Sequence, residues 1–252
     1  MISYLRICRG FHYKIEVLFE VTKILKLILE FFVPPCCIGC NAILFDTNTP
    51  LCSTCRSNLP LTESTLSTKN GINVPLVDKS ILVCTIFFNQ PKGIVLHFIH
   101  HLKYKNQPEI GAFFARLWLE IYPKNQWPEI DLIIPVPLHT RKQRKRGYNQ
   151  LDLFGKSLAI ILDAHYCTNV LKQSRFELSQ TKKNVSVPIE SKKMSYHLEN
   201  PEIVSAKSVL LIDDVISTGA TIISCVQQLK KGTPNSIKIA AIAYTPKKNQ
   251  FI

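Results

Sequence analysis

Apolar positions along the chain change spacing several times, and each change marks an element. Leu18, Val21, Leu25, Ile28 and Phe32 recur at helical spacing inside the stretch from Ile15 to Val33. Glu16, Glu20, Lys23, Lys26 and Glu30 interrupt that stretch, whereas a spanning helix needs about 20 mostly apolar residues, so no transmembrane segment is expected. The same interruptions speak against a signal peptide. The spacing predicts an amphipathic helix that docks on the rest of the chain or lies on a membrane surface or a partner. Pro34-Pro35 ends it and opens a cysteine-rich module that closes near Leu59-Pro60. Residues 61–79 are rich in Ser, Thr, Asn and Lys and read as a linker. The β-rich run 81–88 predicts a strand, and 92–104 and 109–121 predict helices.

From Ile130 onward apolar strands alternate with amphipathic helices. Strands are expected at 130–136, 170–172, 208–212 and 237–243, and helices at 150–162 and 220–230. This order predicts a parallel α/β sheet. Between them, 181–200 carries Lys182, Lys183, Lys192 and Lys193 with little apolar periodicity, and reads as a mobile excursion.

Composition adds a sign. Lys and Arg number 31 against 18 Asp and Glu, a net charge of +13, with 46% hydrophobic residues. A globular chain with this surface favours anions: phosphorylated metabolites, nucleic acid or anionic lipid, with a merely soluble basic surface as the alternative. The nine cysteines are an odd number, and those at 36, 37, 40, 52 and 55 crowd together. That usage suits a reduced compartment, so a cytoplasmic location is expected.

The sharpest chemical signal follows the strand at 208–212. Asp213-Asp214 stand where that strand should end, the position at which parallel sheets hold ligands. Ser217, Thr218, Gly219, Ala220 and Thr221 then combine hydroxyls, a glycine and a helix start. Unpaired N–H groups at a helix N-terminus and the helix dipole attract a phosphate, and glycine lets the backbone approach it. The carboxylates would repel a phosphate, so they suit sugar hydroxyls one ribose length away. Read alone, the same residues are also an N-capping device. The whole run from Val209 to Thr221 resembles the phosphoribosyl pyrophosphate (PRPP) motif of type I phosphoribosyltransferases. That resemblance implies a Rossmann-like parallel sheet with flanking helices, ribose held by Asp213 and Asp214, and the 5′-phosphate held by Ser217 to Thr221.

A second cluster begins at Ile134-Pro135-Val136-Pro137-Leu138-His139. It continues through Arg141, Lys142, Arg144, Lys145 and Arg146 to Gly147-Tyr148-Asn149-Gln150. Guanidinium groups leaving a strand end can clamp a pyrophosphate or a nucleic-acid backbone, and a solvated basic loop is the plain alternative. With Lys103-Tyr104, the cysteine module and the PRPP motif, this order resembles the ComF-like competence proteins and their GntX-type relatives, over roughly 34–243. The resemblance implies PRPP with Mg²⁺, pyrophosphate contacts at Pro135, Val136, Arg141, Arg144 and Arg146, and a link to DNA uptake through single-stranded DNA or the uptake machinery. Gln180-Thr181-Lys182 fits the family, while the arginine-x-x-asparagine that usually follows is not evident, with Asn184-Val185 or Lys192-Lys193 as candidate substitutes. The acceptor of any transfer is not legible.

Cys37-Ile38-Gly39-Cys40 and Cys52-Ser53-Thr54-Cys55 are paired Cys-x-x-Cys motifs, which suit four thiolates around a structural Zn²⁺. Cys36 is an alternative ligand to Cys37. The expected organisation is an amphipathic extension at 1–33, a zinc ribbon at 34–60, a linker and hood-like segment at 61–125, and the phosphoribosyltransferase domain at 126–252.

Overall fold

The computed structural model describes Phe32 and residues 34–46, 49–62, 74, 78, 80–89, 93–104, 109–138, 144, 147–175 and 194–245. The amphipathic helix expected before residue 34 lies outside these, apart from Phe32. The chain divides into two compact units with the boundary between Ser57 and Asn58.

The first unit is built on a tight turn. Cys36 bridges Ile43 in antiparallel fashion, and the Cys37 N–H donates to the Ala42 carbonyl at 2.8 Å. Asn41 N–H returns to the Cys37 carbonyl at 2.8 Å, with Asn41 at φ 60°, a left-handed conformation that asparagine tolerates. A short helix, α1 (Ser53–Ser57), follows the second Cys-x-x-Cys start. Among the described residues of this unit the buried side chains are Cys37, Ile38, Leu44 and Leu51.

The second unit is a five-stranded sheet of order β1-β7-β6-β2-β3, parallel throughout. Its strands are β1 (Val83–Phe88), β2 (Leu132–Pro135), β3 (His165–Tyr166), β6 (Ser208–Ile216) and β7 (Ser236–Tyr244). Helices α2 (Ile94–Tyr104), α3 (Glu109–Ile121), α4 (Asp152–Leu162) and α6 (Ala220–Lys230) flank it, and a one-turn helix α5 (Pro201–Val204) precedes β6. The edge strand β1 comes from the segment read as linker and hood, so 83–88 is part of the sheet itself. A hairpin, β4 (Leu171–Arg175) with β5 (Met194–Leu198), stands as a separate two-stranded sheet. Residues 194–198, expected within a mobile excursion, are therefore strand; 181–193 lie outside the described residues. β3 has two residues and cannot display a period.

Side-chain alternation along β6 sends Val209 and Leu211 to the face covered by Ile222, Cys225, Val226 and Leu229 of α6. On the opposite face Ile212 abuts α4 at Gly155, where a Cβ would come within 2.8 Å of Ile212 Cδ1 and overlap the Tyr166 ring. Phe87, Phe98 and Phe114 pack with centroids 5.7 to 5.8 Å apart, joining β1 to α2 and α3. Among the described residues no helix is long and apolar enough to cross a membrane.

Candidate functional site

The sheet order places a switch point between β2 and β6: from β2 the chain moves outward to β3, and from β6 it moves the other way to β7. Ligands of parallel sheets bind in the crevice at the carboxyl ends of strands flanking such a point. Pairing between β2 and β6 ends at Pro135 and Ile212, closed by Val136 N–H donating to the Ile212 carbonyl at 2.9 Å. On its other side β6 continues beside β7 to Ile216, four residues beyond the expected end. Asp213 and Asp214 are thus held in extended strand rather than at its terminus. Both are buried, beside the edge of β6 that β2 has left.

The period-2 alternation points the two carboxylates to opposite faces. Asp214 faces α2 and α4. Its Oδ2 lies 3.0 Å from Lys103 Nζ and accepts a hydrogen bond from Gln150 Nε2 at 2.7 Å. Tyr148 Oη donates to the Leu102 carbonyl at 2.8 Å, tying the turn before α4 to the last turn of α2. Asp213 faces α6 and β5, and its Oδ1 accepts the Asp214 N–H at 2.8 Å. Burial, reinforced by the Asp214 charge, holds the Asp213 carboxyl well above the usual carboxylate range, against the opposing pull of that N–H and of Lys103.

Beyond Ile216, Ser217 and Thr218 are exposed and Gly219 adopts φ 80°, a left-handed conformation that favours glycine. Thr218 Oγ1 accepts the Ala220 N–H at 3.4 Å. The N–H groups of the first turn of α6 have no helical carbonyl ahead of them and face outward, the geometry of an anion cradle. Thr221 is braced from behind: the buried Tyr196 hydroxyl of β5 hydrogen-bonds to it and accepts from Gln173 Nε2 of β4 at 3.0 Å. Burial, then the neighbouring Cys225 and Asp213, push the Tyr196 hydroxyl up to about 12 despite these bonds.

In the basic loop, Pro135 and Val136 are buried at the mouth of the crevice and Arg144 is exposed; Arg141 and Arg146 lie outside the described residues. Two residues of the sequence motifs carried no assigned role and are brought against Asp214: Lys103 and Gln150. Their signal was present in Lys103-Tyr104 and Tyr148-Asn149-Gln150, but no local pattern says that both reach Asp214. Tyr196 and Gln173 had no such signal.

In the first unit the Sγ atoms of Cys37, Cys40, Cys52 and Cys55 lie within 4.8 Å of one another. Cys40 and Cys52 are 3.7 Å apart, close to the ~3.8 Å edge of a tetrahedron with Zn–S near 2.3 Å. Cys36 is exposed, and its thiol donates to the Pro34 carbonyl at 3.4 Å, outside the cluster. Burial works against a Cys37 thiolate, but the Cys52 N–H at 3.3 Å and N–H groups of Cys40 and Gly39 outweigh it and lower that thiol to about 6.

Residues 153–252 match the phosphoribosyl transferase domain family, and the parallel sheet with its flanking helices agrees with that match. It is 27% identical over 203 residues to the DNA utilization protein YhgH of Escherichia coli O157:H7, covering 79% of this chain and 86% of that one. It is 27% identical over 224 residues to Competence protein F of Haemophilus influenzae, covering 82% and 96%. The YhgH protein of Salmonella typhi aligns at 28% identity over 58% of this chain and 66% of its own length. Among solved structures, the purine phosphoribosyltransferase from Pyrococcus horikoshii Ot3 aligns at 19% identity over 56% of this chain and 84% of that one, with a TM-score of 0.35. The chain is thus similar to the ComF-type phosphoribosyltransferase proteins, with the domain match falling on residues 153–252.

Proposed function

We propose that this protein binds PRPP with Mg²⁺ at the carboxyl end of β6 and serves DNA uptake or utilization, transferring the phosphoribosyl group to an acceptor. The observation that carries the reading is the continuous path from two buried carboxylates, Asp213 and Asp214, to a glycine-hinged anion cradle at 217–221, opening on the switch-point crevice. The 5′-phosphate would sit on the first turn of α6, the ribose hydroxyls would donate to the aspartates, and Arg141, Arg144 and Arg146 would face the pyrophosphate. In the transfer, the acceptor's electron pair forms a bond to the sugar C1, the C1–O bond breaks with its pair leaving on pyrophosphate, and the acceptor loses a proton where it carried one. Mg²⁺, a hard cation that prefers oxygen, would accompany PRPP and offset the charge of the leaving pyrophosphate. A structural Zn²⁺ on Cys37, Cys40, Cys52 and Cys55 would close the first unit, with no open position for catalysis.

A non-catalytic reading is favoured by the net charge of +13 and by the names of the relatives: the PRPP site as a sensor, with a basic surface for single-stranded DNA. A titration separates the readings. PRPP with Mg²⁺ should raise Tm in the wild-type chain and lose that effect in Asp213→Asn/Asp214→Asn; equal stabilisation of both would sink the site. Release of pyrophosphate only with an added acceptor supports transfer. Salt-sensitive single-stranded DNA binding that persists in the double variant, with no pyrophosphate released, supports the sensor.

A further inference from the structure

Lys103, like Gln150, stands in the ordered motifs without an assigned role and precedes the residues 153–252 that match the family. It closes α2 on the side of the sheet remote from α6. Yet its ammonium lies 3.0 Å from Asp214, with 22% of its side-chain surface still exposed. Gln150 reaches the same carboxylate from the turn before α4, at 2.7 Å. Both meet one oxygen, Oδ2, and among the described residues Oδ1 of Asp214 accepts no hydrogen bond. The carboxylate is therefore fixed in rotation by two donors on one oxygen while the other keeps its lone pairs. The Tyr148 hydroxyl, bonded to the Leu102 carbonyl, locks the two donor-bearing segments to each other at the residue before Lys103.

A buried carboxylate with a single cation beside it is costly to leave unpaired, and a neutral donor alone does not replace the lost charge. Among the described residues Asp213, one residue away, forms no ion pair: its Oδ1 accepts the Asp214 N–H, and Lys103 acts on it only through space. The two aspartates are thus unequal: Asp214 is braced and aimed, Asp213 is not.

We propose that Lys103, assisted by Gln150, is a positioning residue for the ribose subsite: it anchors Oδ2 of Asp214 and so presents Oδ1 to a sugar hydroxyl. This rests on the reading of Asp213-Asp214 as ribose ligands. A hydroxyl donor on Oδ1 completes the coordination of a carboxylate that is already charge-paired, and selects ribose over a sugar lacking the hydroxyl, because deoxyribose would leave Oδ1 unsatisfied in a buried place.

The experiment is calorimetric titration of the full chain with PRPP and Mg²⁺, and separately with ribose 5-phosphate and 2-deoxyribose 5-phosphate. If the wild-type chain binds none of the three, the underlying site reading fails. If it binds, Lys103→Met is expected to weaken PRPP at least tenfold. It should also collapse the preference for ribose 5-phosphate over its deoxy analogue towards one, while leaving the affinity for the deoxy sugar phosphate within about twofold. Lys103→Arg should recover most of the preference. Adding Lys103→Met to Asp214→Asn should cost no more than Asp214→Asn alone, since both act through one oxygen pair. Wild-type preference in a folded Lys103→Met, or a uniform loss for both sugar phosphates, overturns the inference. Should Lys103→Met not fold, Lys103→Gln, which keeps a donor without the charge, decides on the same two readings.

Discussion

Among single residues, Asp213 shows how a carboxyl group is kept buried at the expense of stability. Its carboxyl is buried beside Asp214, so its folded pKa lies above the unfolded value of ~3.9. A carboxyl raised in this way favours the fold at pH below that unfolded value and opposes it as pH climbs towards the folded pKa. Thermal stability should therefore improve as pH falls from 7 towards about 4, before carboxylates with lowered pKa, the exposed Asp78 and the half-buried Asp131, begin to lose their own contributions. Asp213→Asn keeps an acceptor for the Asp214 N–H and removes the charge. It should raise Tm at pH 7, by about 2–4 °C for each ~1 kcal/mol relieved, with the gain shrinking towards pH 4 and PRPP stabilisation lost. A Tm difference independent of pH would count against this origin. Cysteine is the second case at this scale. Four thiols converge and Cys36 does not, so Cys36→Ser should retain one zinc per chain by metal analysis and Cys37→Ser should release it. The Cys-x-x-Cys spacing identified both pairs, but adjacent cysteines are equivalent to a spacing argument. The Cys37 to Ala42 backbone turn breaks the tie.

Among elements, the contact of α4 with the sheet depends on a missing side chain. Gly155 lies where a Cβ would overlap Tyr166, and that ring cannot swing away freely because its hydroxyl donates to Asp152 Oδ1 at 2.9 Å. Alanine favours a helix over glycine by up to about 1 kcal/mol, but overpacking a tight contact costs about 1–3 kcal/mol, so Gly155→Ala should destabilise on balance. Gly155→Ala combined with Tyr166→Phe, which frees the ring, should recover part of the loss in chemical denaturation. At this scale the strongly periodic elements were legible: α3 and α6 run over the residues their apolar spacing predicts. Those decided by partners were not. β6 runs on to Ile216 because β7 continues to pair with it, and β5 forms because β4 supplies its antiparallel neighbour, with Tyr196 buried against α6. Propensity cannot register a partner elsewhere in the chain.

At the scale of the whole molecule, sequence by itself determined the chemistry and its order: the cysteine pairs, the carboxylates, the glycine-hinged loop and the alternation that makes a parallel sheet. These are local properties, set by side-chain type, spacing and backbone period. Only the tertiary structure decided what converges. It placed the expected strand β1 at the edge of the main sheet beside β7, opened the crevice by ending β2 at Pro135 while β6 continued, and sent the adjacent aspartates to opposite faces. Asp214 then meets Lys103 and Gln150, 111 and 64 residues away along the chain. Contacts at such separation are chosen by packing and burial acting on the folded chain as a unit, and no window of sequence contains them.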